Sequence, residues 1–323
     1  MTTQTPKPKK CITSIGGQAL IEGILMRGPK RIEVAVRTPG GSIDAEEMRF
    51  VPLRDRYRVL RLPILRGVAS FVESLMMGYK ALNVSMDKSG MSDIETDEED
   101  SKLDRWLDQH LGDKLGAVIA GIGAVLGVVL AVALFFFLPT LCFNGIQFLA
   151  GGHDIAAWRS PFEGVLRLLI FVAYMWLMGF QSDVKRMFRY HGAEHKTIFC
   201  YEAGLPLTVE NVRKQRRFHP RCGTSFMVLM ILIGVLVGIF IPFSNPFLRT
   251  AVKLLCIPVV MGLGYELIRY CGRHDNCLTK VIAQPGLWMQ RLTVKEPDDA
   301  MIEVAIAAME PVIPADGADK VAI

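Results

Sequence analysis

Four long apolar runs interrupt an otherwise mixed pattern of hydrophobic and polar positions along this chain. Residues 116–138 (GAVIAGIGAVLGVVLAVALFFFL) carry no charge and exceed the roughly 20 residues a helix needs to cross a bilayer. Residues 162–180, 224–243 and 250–268 read the same way, with few charges and those near their ends. The pattern predicts a mainly α, polytopic membrane protein with about four transmembrane helices between residues 111 and 270. A different period governs residues 11–55. Ile32, Val34 and Val36 alternate with polar neighbours, and Pro39-Gly40-Gly41 then turns the chain into SIDAEEMRF, a hairpin signal. A small β-containing module at the N-terminus is therefore expected. Ahead of it, GGQALIEGILMRGP sets Gln18, Glu22 and Arg27 among apolar residues, as polar edge groups of a strand or as arms reaching a polar site.

Residues 56–86 contain a third pattern. From Pro63 onward, Ile64, Leu65, Val68, Phe71, Val72, Leu75, Met76, Tyr79 and Leu82 keep helical spacing, while Arg66, Glu73 and Lys80 recur every seven residues on the other side. This is an amphipathic helix whose apolar stripe suits a lipid surface or the bundle, with Glu73 expected on a solvated face. Residues 87–110 are acidic and poor in large apolar groups, which predicts a linker. Residues 271–323 read as a cytoplasmic tail, with Trp288 near a membrane interface and a short helix over DDAMIEVAIAAMEPV.

Composition agrees with a membrane protein: 51% of the 323 residues are hydrophobic and 21% charged, with a mean hydropathy of +0.31. Basic residues crowd the loop 181–223, including Lys185, Arg186, Arg189, Lys196 and the RKQRR run, whereas 141–161 and 244–249 carry few. By the positive-inside rule the loop 181–223 and both termini face the cytosol, and 141–161 and 244–249 face outside a cytoplasmic membrane. The basic N-terminus is not followed by an apolar run with a cleavage site, so it does not read as a secretory signal. Seven cysteines, most of them bordering a reducing cytosol in this topology, do not suggest a disulfide framework. A net charge of +5 suits lipids of an anionic inner leaflet as partners. No basic stripe is interleaved with stacking aromatics, so a nucleic-acid partner is not expected.

The candidate chemistry lies in the cytoplasmic loop. His191-Gly-Ala-Glu194-His195 puts two histidines one helical turn apart, where both rings can reach one ion. The same residues fit the H-x-x-E-H arrangement, in which the histidines ligate a metal and the glutamate acts as a base. His219 and Cys222 add two further zinc-type donors at the mouth of the third run. Glu266, near the cytoplasmic end of the fourth, is an ionisable group where a role or a partner is needed. The donor set points to a divalent cation, zinc first. An open position in the shell gives an enzyme, a hydrolase by motif. A closed shell, or none, gives a membrane scaffold or assembly factor. A transporter is disfavoured, because Glu163, Arg167, Lys253 and Glu266 are few and lie near the ends of the runs. The Cys271 and Cys277 spacing does not form a standard zinc knuckle.

GGQALIEGILMRGP, RGVASFVESLMMGYKALN, YHGAEHKTI, HPRCGTSF, PGLWMQRLT and EPDDAMIEVAIAA together resemble the YqhQ-like bacterial family, domain of unknown function 1385, over residues 11–312. The resemblance implies an integral protein of the bacterial cytoplasmic membrane, described as a predicted metal-dependent enzyme. It implies site residues at His191, Glu194, His195, His219 and Cys222, with Glu266 beside them, and names no substrate. The CGRHDNC stretch departs from the family pattern.

Overall fold

The computed structural model describes residues 12–90, 115–151, 155–271, 274 and 276–321. Most of the expected linker, Cys11, and Gly272, Arg273 and Asp275 of the CGRHDNC stretch lie outside the described residues. The chain is mainly helical with an N-terminal antiparallel sheet, and it divides into two compact units. The first takes residues 1–92, 172–233 and 258–323; the second takes 93–171 and 234–257.

In the first unit, strands β2 (Gly16–Leu20), β3 (Gly23–Arg27), β4 (Ile32–Arg37) and β5 (Ile43–Glu47) form a four-stranded antiparallel meander. The Pro-Gly-Gly hairpin is present, pairing Arg37 with Ile43. The alternation in RIEVAVR predicts one buried face, yet Val34, Ala35 and Val36 are all fully buried, because helices cover both sides. On one side Leu20, Leu25, Val34 and Val36 meet Met77 and Ala81 of α2 (Leu65–Lys88). On the other, Ile24, Met26 and Ala35 meet α6 (Ser182–Glu202) and α12 (Asp299–Met309), and Val212 of the short α7 (Val209–Arg213) joins that cluster. Two-sided burial of a sheet gives a continuous apolar run, which is how β3 (GILMR) reads. Strand β1 (Ile12–Thr13) pairs with β6 (Lys320–Val321), so the segment read as a separate tail closes against the N-terminus. The helix expected over DDAMIEVAIAAMEPV is α12, capped by Asp298, which accepts from the Met301 N–H at 3.0 Å.

Helix α2 corrects the expected solvation of its Glu73 face. Its buried face is the small and polar one, Gly67, Ala69, Glu73, Gly78, Ala81 and Ser85 with Met77. Leu65, Val72, Leu75, Met76 and Tyr79 are exposed. Glu73 is fully buried, accepting from the Arg54 N–H at 3.2 Å and facing the Arg54 guanidinium at 3.5 Å. The heptad spacing placed Glu73 in water. The short helix α1 (Leu53–Arg56) folds over it instead. Gly78 is needed here because the Gln18 side chain lies against it, so Gln18 packs on α2.

The second unit contains α3 (Leu115–Val132), a π-helical stretch Ala133–Phe137, α4 (Leu138–Leu149), most of α5 (Arg159–Met178), the end of α8 (Gly223–Ile239) and α9 (Pro246–Leu255). Pro139 has no N–H for the Phe135 carbonyl, which explains the loosened turn before it. Arg167 takes up that carbonyl through Nε at 2.7 Å.

Among the described residues, two helical stretches are long and apolar enough to cross a membrane, Gly121–Leu149 and Ala156–Met178. A third would join α9 and α10 (Ile257–Cys271), bent by 46° at their junction, where Pro258 cannot continue the hydrogen-bond ladder of the preceding turn. The run 224–243, expected as a span, forms only the shorter apolar helix α8, and its end at Ile239 precedes Pro242. The expected four spans thus become two, or three with the bent pair.

Candidate metal centre

Helix α6 carries the central motif between the sheet and the C-terminal segments. From Tyr190 to Cys200 it is buried almost all round, beyond what a single amphipathic stripe would give. Gly192 is what allows this. The chain at Lys295 crosses the helix so closely that a Cβ at 192 would strike its carbonyl, and the Lys295 N–H donates to the Phe188 carbonyl at 2.9 Å. This crossing follows directly from α11 (Cys277–Thr293) and delivers the Thr293 carbonyl to His191.

The imidazoles of His191 and His195 lie edge to face with centroids 4.4 Å apart. His191 Nδ1 is 3.1 Å from the Thr293 carbonyl, and His195 Nδ1 is 2.6 Å from the Arg217 carbonyl. A carbonyl can only accept, so both rings carry Nδ1–H and present Nε2 as a free lone pair, the tautomer a metal ligand needs. His191 Nε2 is 3.2 Å from the Cys222 sulfur. The donor atoms of His191, His195 and Cys222 all lie within 4.8 Å of one another. Tetrahedral zinc with two nitrogen ligands and one sulfur would set them about 3.5 Å apart. The set fits after a closure of about 1 Å, and a thiol proton is all that a cation would need to displace.

Cys222 is aimed by the turn that opens α8. The Thr224 N–H points at its sulfur at 3.5 Å, and the Thr224 hydroxyl lies 3.2 Å away. That turn is clamped by fully buried Gln290 of α11. Its Oε1 accepts from the His219 N–H at 2.8 Å, and its Nε2 donates to the His219 carbonyl at 2.7 Å.

The other expected residues are placed differently. Glu194 is buried with its carboxyl against Gly17 of β2, where any Cβ would lie 3.0 Å from Glu194 Cδ. Burial holds this carboxyl above the usual carboxylate range, although His191 and the Gly17 N–H pull it down. His219 is not in the mutual set of ligand atoms. Its Nδ1 accepts from the Arg221 N–H at 3.3 Å, its Nε2 faces Glu202 at 3.8 Å, and its ring lies 5.6 Å from that of His195. Arg221 and Glu202 form an ion pair beside it. Glu266 is held by Arg66, with Nε to Oε1 at 2.5 Å, and is not brought to the cluster either. Glu22, in the tight β2–β3 turn at φ +50°, accepts from Arg186 at 2.6 Å and from the Tyr190 hydroxyl at 3.1 Å. Burial raises that carboxyl, but these bonds bring it below its usual range. Arg27 closes β3 opposite Ile32, at the turn into β4. Sequence reasoning missed Gln290 and Thr293, whose signal was their place as polar residues inside the PGLWMQRLT motif.

Burial pushes His219 down to about 4, with Glu202 opposing and His195 and Arg221 adding to the shift. Since 4 lies below the unfolded value of 6.5, protons bind the unfolded chain first. Stability from this residue is complete above pH 6.5 and falls toward pH 4, by about 3 kcal/mol. A His219→Gln variant should therefore lose less melting temperature than the parent between pH 7 and pH 4.5. Equal losses would remove His219 from the acid response.

The sequence profile of the family described as "Protein of unknown function (DUF1385)" matches residues 62–315. The chain is 34% identical over 304 residues to "Uncharacterized protein YqhQ" of Bacillus subtilis (strain 168), covering 90% of this chain and 89% of the relative. No solved structure matches it.

Proposed function

The chain belongs to the DUF1385 family, and from that premise and the geometry above we propose that it is a membrane-embedded, metal-dependent enzyme of the hydrolase type. His191, His195 and Cys222 would hold a zinc-type cation at the cytoplasmic face, and Glu194 would be the general base. The observation that carries this reading is the pair of Nδ1 contacts to backbone carbonyls, which leaves both Nε2 atoms as lone-pair donors, with His191 Nε2 3.2 Å from the Cys222 sulfur. Three protein donors leave a fourth tetrahedral position for a substrate or water, the pattern of catalytic rather than structural zinc. A bound cation of this class supplies Lewis-acid polarisation of whatever occupies that position. Glu194 contributes a carboxyl whose burial raises its proton affinity, so it exchanges a proton nearer neutral pH than an exposed glutamate does. His219 and Glu202 form an outer pair that steadies the HPRC turn.

The membrane part of the proposal rests on the two or three apolar helices and on the basic loop 181–223. In this reading the loop and both termini are cytoplasmic, and labelling of a cysteine placed at Gln215 from outside intact cells would contradict it. The competing function is a scaffold with a closed structural metal site, favoured by the burial of His195 and Cys222.

Metal analysis of the purified protein separates the ligands. The parent is expected to carry one equivalent of metal, His191→Ala, His195→Ala and Cys222→Ser to lose it, and His219→Ala to keep it. Loss of metal in His219→Ala as well would favour the closed four-ligand scaffold. Absence of metal from the parent would remove both readings.

A further inference from the structure

The first unit contains a second polar site, remote in sequence from the histidine motif. Arg54 of α1, Arg61 in the turn after it, Arg66 in the first turn of α2 and Arg269 in the last turn of α10 line a cavity of about 260 Å³ with Tyr265. Like charges converge in this way only if anions balance them. Three carboxylates are at hand: Glu266 grips Arg66, whereas Glu73 and Asp55 stand 3.5 Å from Arg54 and Arg61. Those two contacts are longer than the 2.7–2.9 Å of a charge-assisted hydrogen bond, so the guanidiniums keep donors to offer. Arg54 Nε is buried without a hydrogen-bond partner. Four cations against three carboxylates leave the cavity net positive.

The cavity is smaller than the roughly 300–1,000 Å³ of most small-molecule pockets, which suits a headgroup and not a whole metabolite. Guanidinium forks arriving from several sides match the oxygens of a phosphate better than the two of a carboxylate. The surroundings decide what carries that phosphate. Leu62 and Leu65 beside the cavity, then Val72, Met76 and Tyr79 on one stripe of α2, are exposed apolar side chains. Aliphatic groups beside arginines are the arrangement of a segment lying in a membrane interface, with its cations at headgroup depth. We propose that this arginine-lined cavity binds the phosphate of an anionic phospholipid, with the α2 stripe seated among the acyl chains. This deepens the membrane reading above and gives the exposed stripe of α2 its partner.

The test uses the full chain in a neutral detergent, with dioleoyl phosphatidic acid or phosphatidylglycerol added in mixed micelles and bound lipid read by native mass spectrometry. Anionic lipid is expected to bind at least tenfold more tightly than phosphatidylcholine. Arg61→Gln with Arg269→Gln should remove that preference, while Lys30→Gln, elsewhere on the surface, should not. If the double variant fails to fold, Arg269→Gln alone carries the test and should weaken the preference. No preference in the parent, or one that survives the arginine substitutions, overturns the proposal. So does glycerol phosphate binding as tightly as the lipid, which would make the ligand a soluble phosphate ester. Failure of the membrane reading is a separate result: the chain would then stay in solution without detergent after an alkaline wash of the membranes.

Discussion

Glu194→Gln is expected to leave metal content near that of the parent while abolishing function, with a rate loss on the order of 10² to 10⁴-fold. The substitution is mild for the fold. Burial already favours the neutral form of this carboxyl, and a glutamine of the same shape can still accept the Gly17 N–H. His191, three residues before it, and His195, the next residue, keep their contacts to the Thr293 and Arg217 carbonyls, so the donor set stays aimed. What is lost is the ability to take and return a proton. Complementation of a deletion strain, scored beside metal analysis of the same variant, reads this. Full complementation by Glu194→Gln would end the hydrolase reading, since a closed structural site has no use for the acid.

The second large effect lies in the other unit. Glu163 is 2% exposed and sits between Arg249 and Lys253, with Arg249 Nε at 2.9 Å and Lys253 Nζ at 2.6 Å. Arg249 is 1% exposed and also donates to the Ser160 hydroxyl, while Lys253 reaches the Thr140 hydroxyl at 3.1 Å. Glu163→Leu removes the carboxylate and strands two buried cations. Removing one partner of a buried pair costs about 3–5 kcal/mol. At this chain length that is a drop in melting temperature of roughly 5–15 °C, measured in detergent. Adding Lys253→Met should recover part of the loss, because the two changes share one network. A Glu163→Leu protein that melts with the parent would mean the network is neutralised in another way.

Glu163 also shows where the sequence stops being legible. Hydropathy revealed that residues 162–180 and 250–268 are apolar and that their charges lie near the ends. It did not reveal that Glu163, Lys253 and Arg249, the last read as part of an outside loop, meet in one buried cluster. Partnerships between residues about 90 positions apart are tertiary facts. The same limit misplaced Glu266, whose guanidinium partner Arg66 is 200 residues away. It also put Glu73 in water, because the helix that covers it is a single turn of mixed polarity. The local part of the site was readable: the i, i+4 spacing of His191 and His195 needs only a helix, and Cys222 lies just after a proline turn. Choosing Cys222 over His219 as the third donor depended on the Gln290 clamp and the Glu202–Arg221 pair, which no spacing displays.

The most direct measurement of the central claim is X-ray absorption at the edge of the metal that copurifies with the full-length protein. The geometry predicts one sulfur at about 2.3 Å and two imidazole nitrogens at about 2.0 Å, with a light oxygen or nitrogen atom completing the shell. The sulfur should vanish in Cys222→Ser and persist in His219→Ala. A shell with no sulfur, a shell that loses a nitrogen in His219→Ala, or a protein with no metal to measure would contradict the assignment of His191, His195 and Cys222 as the centre.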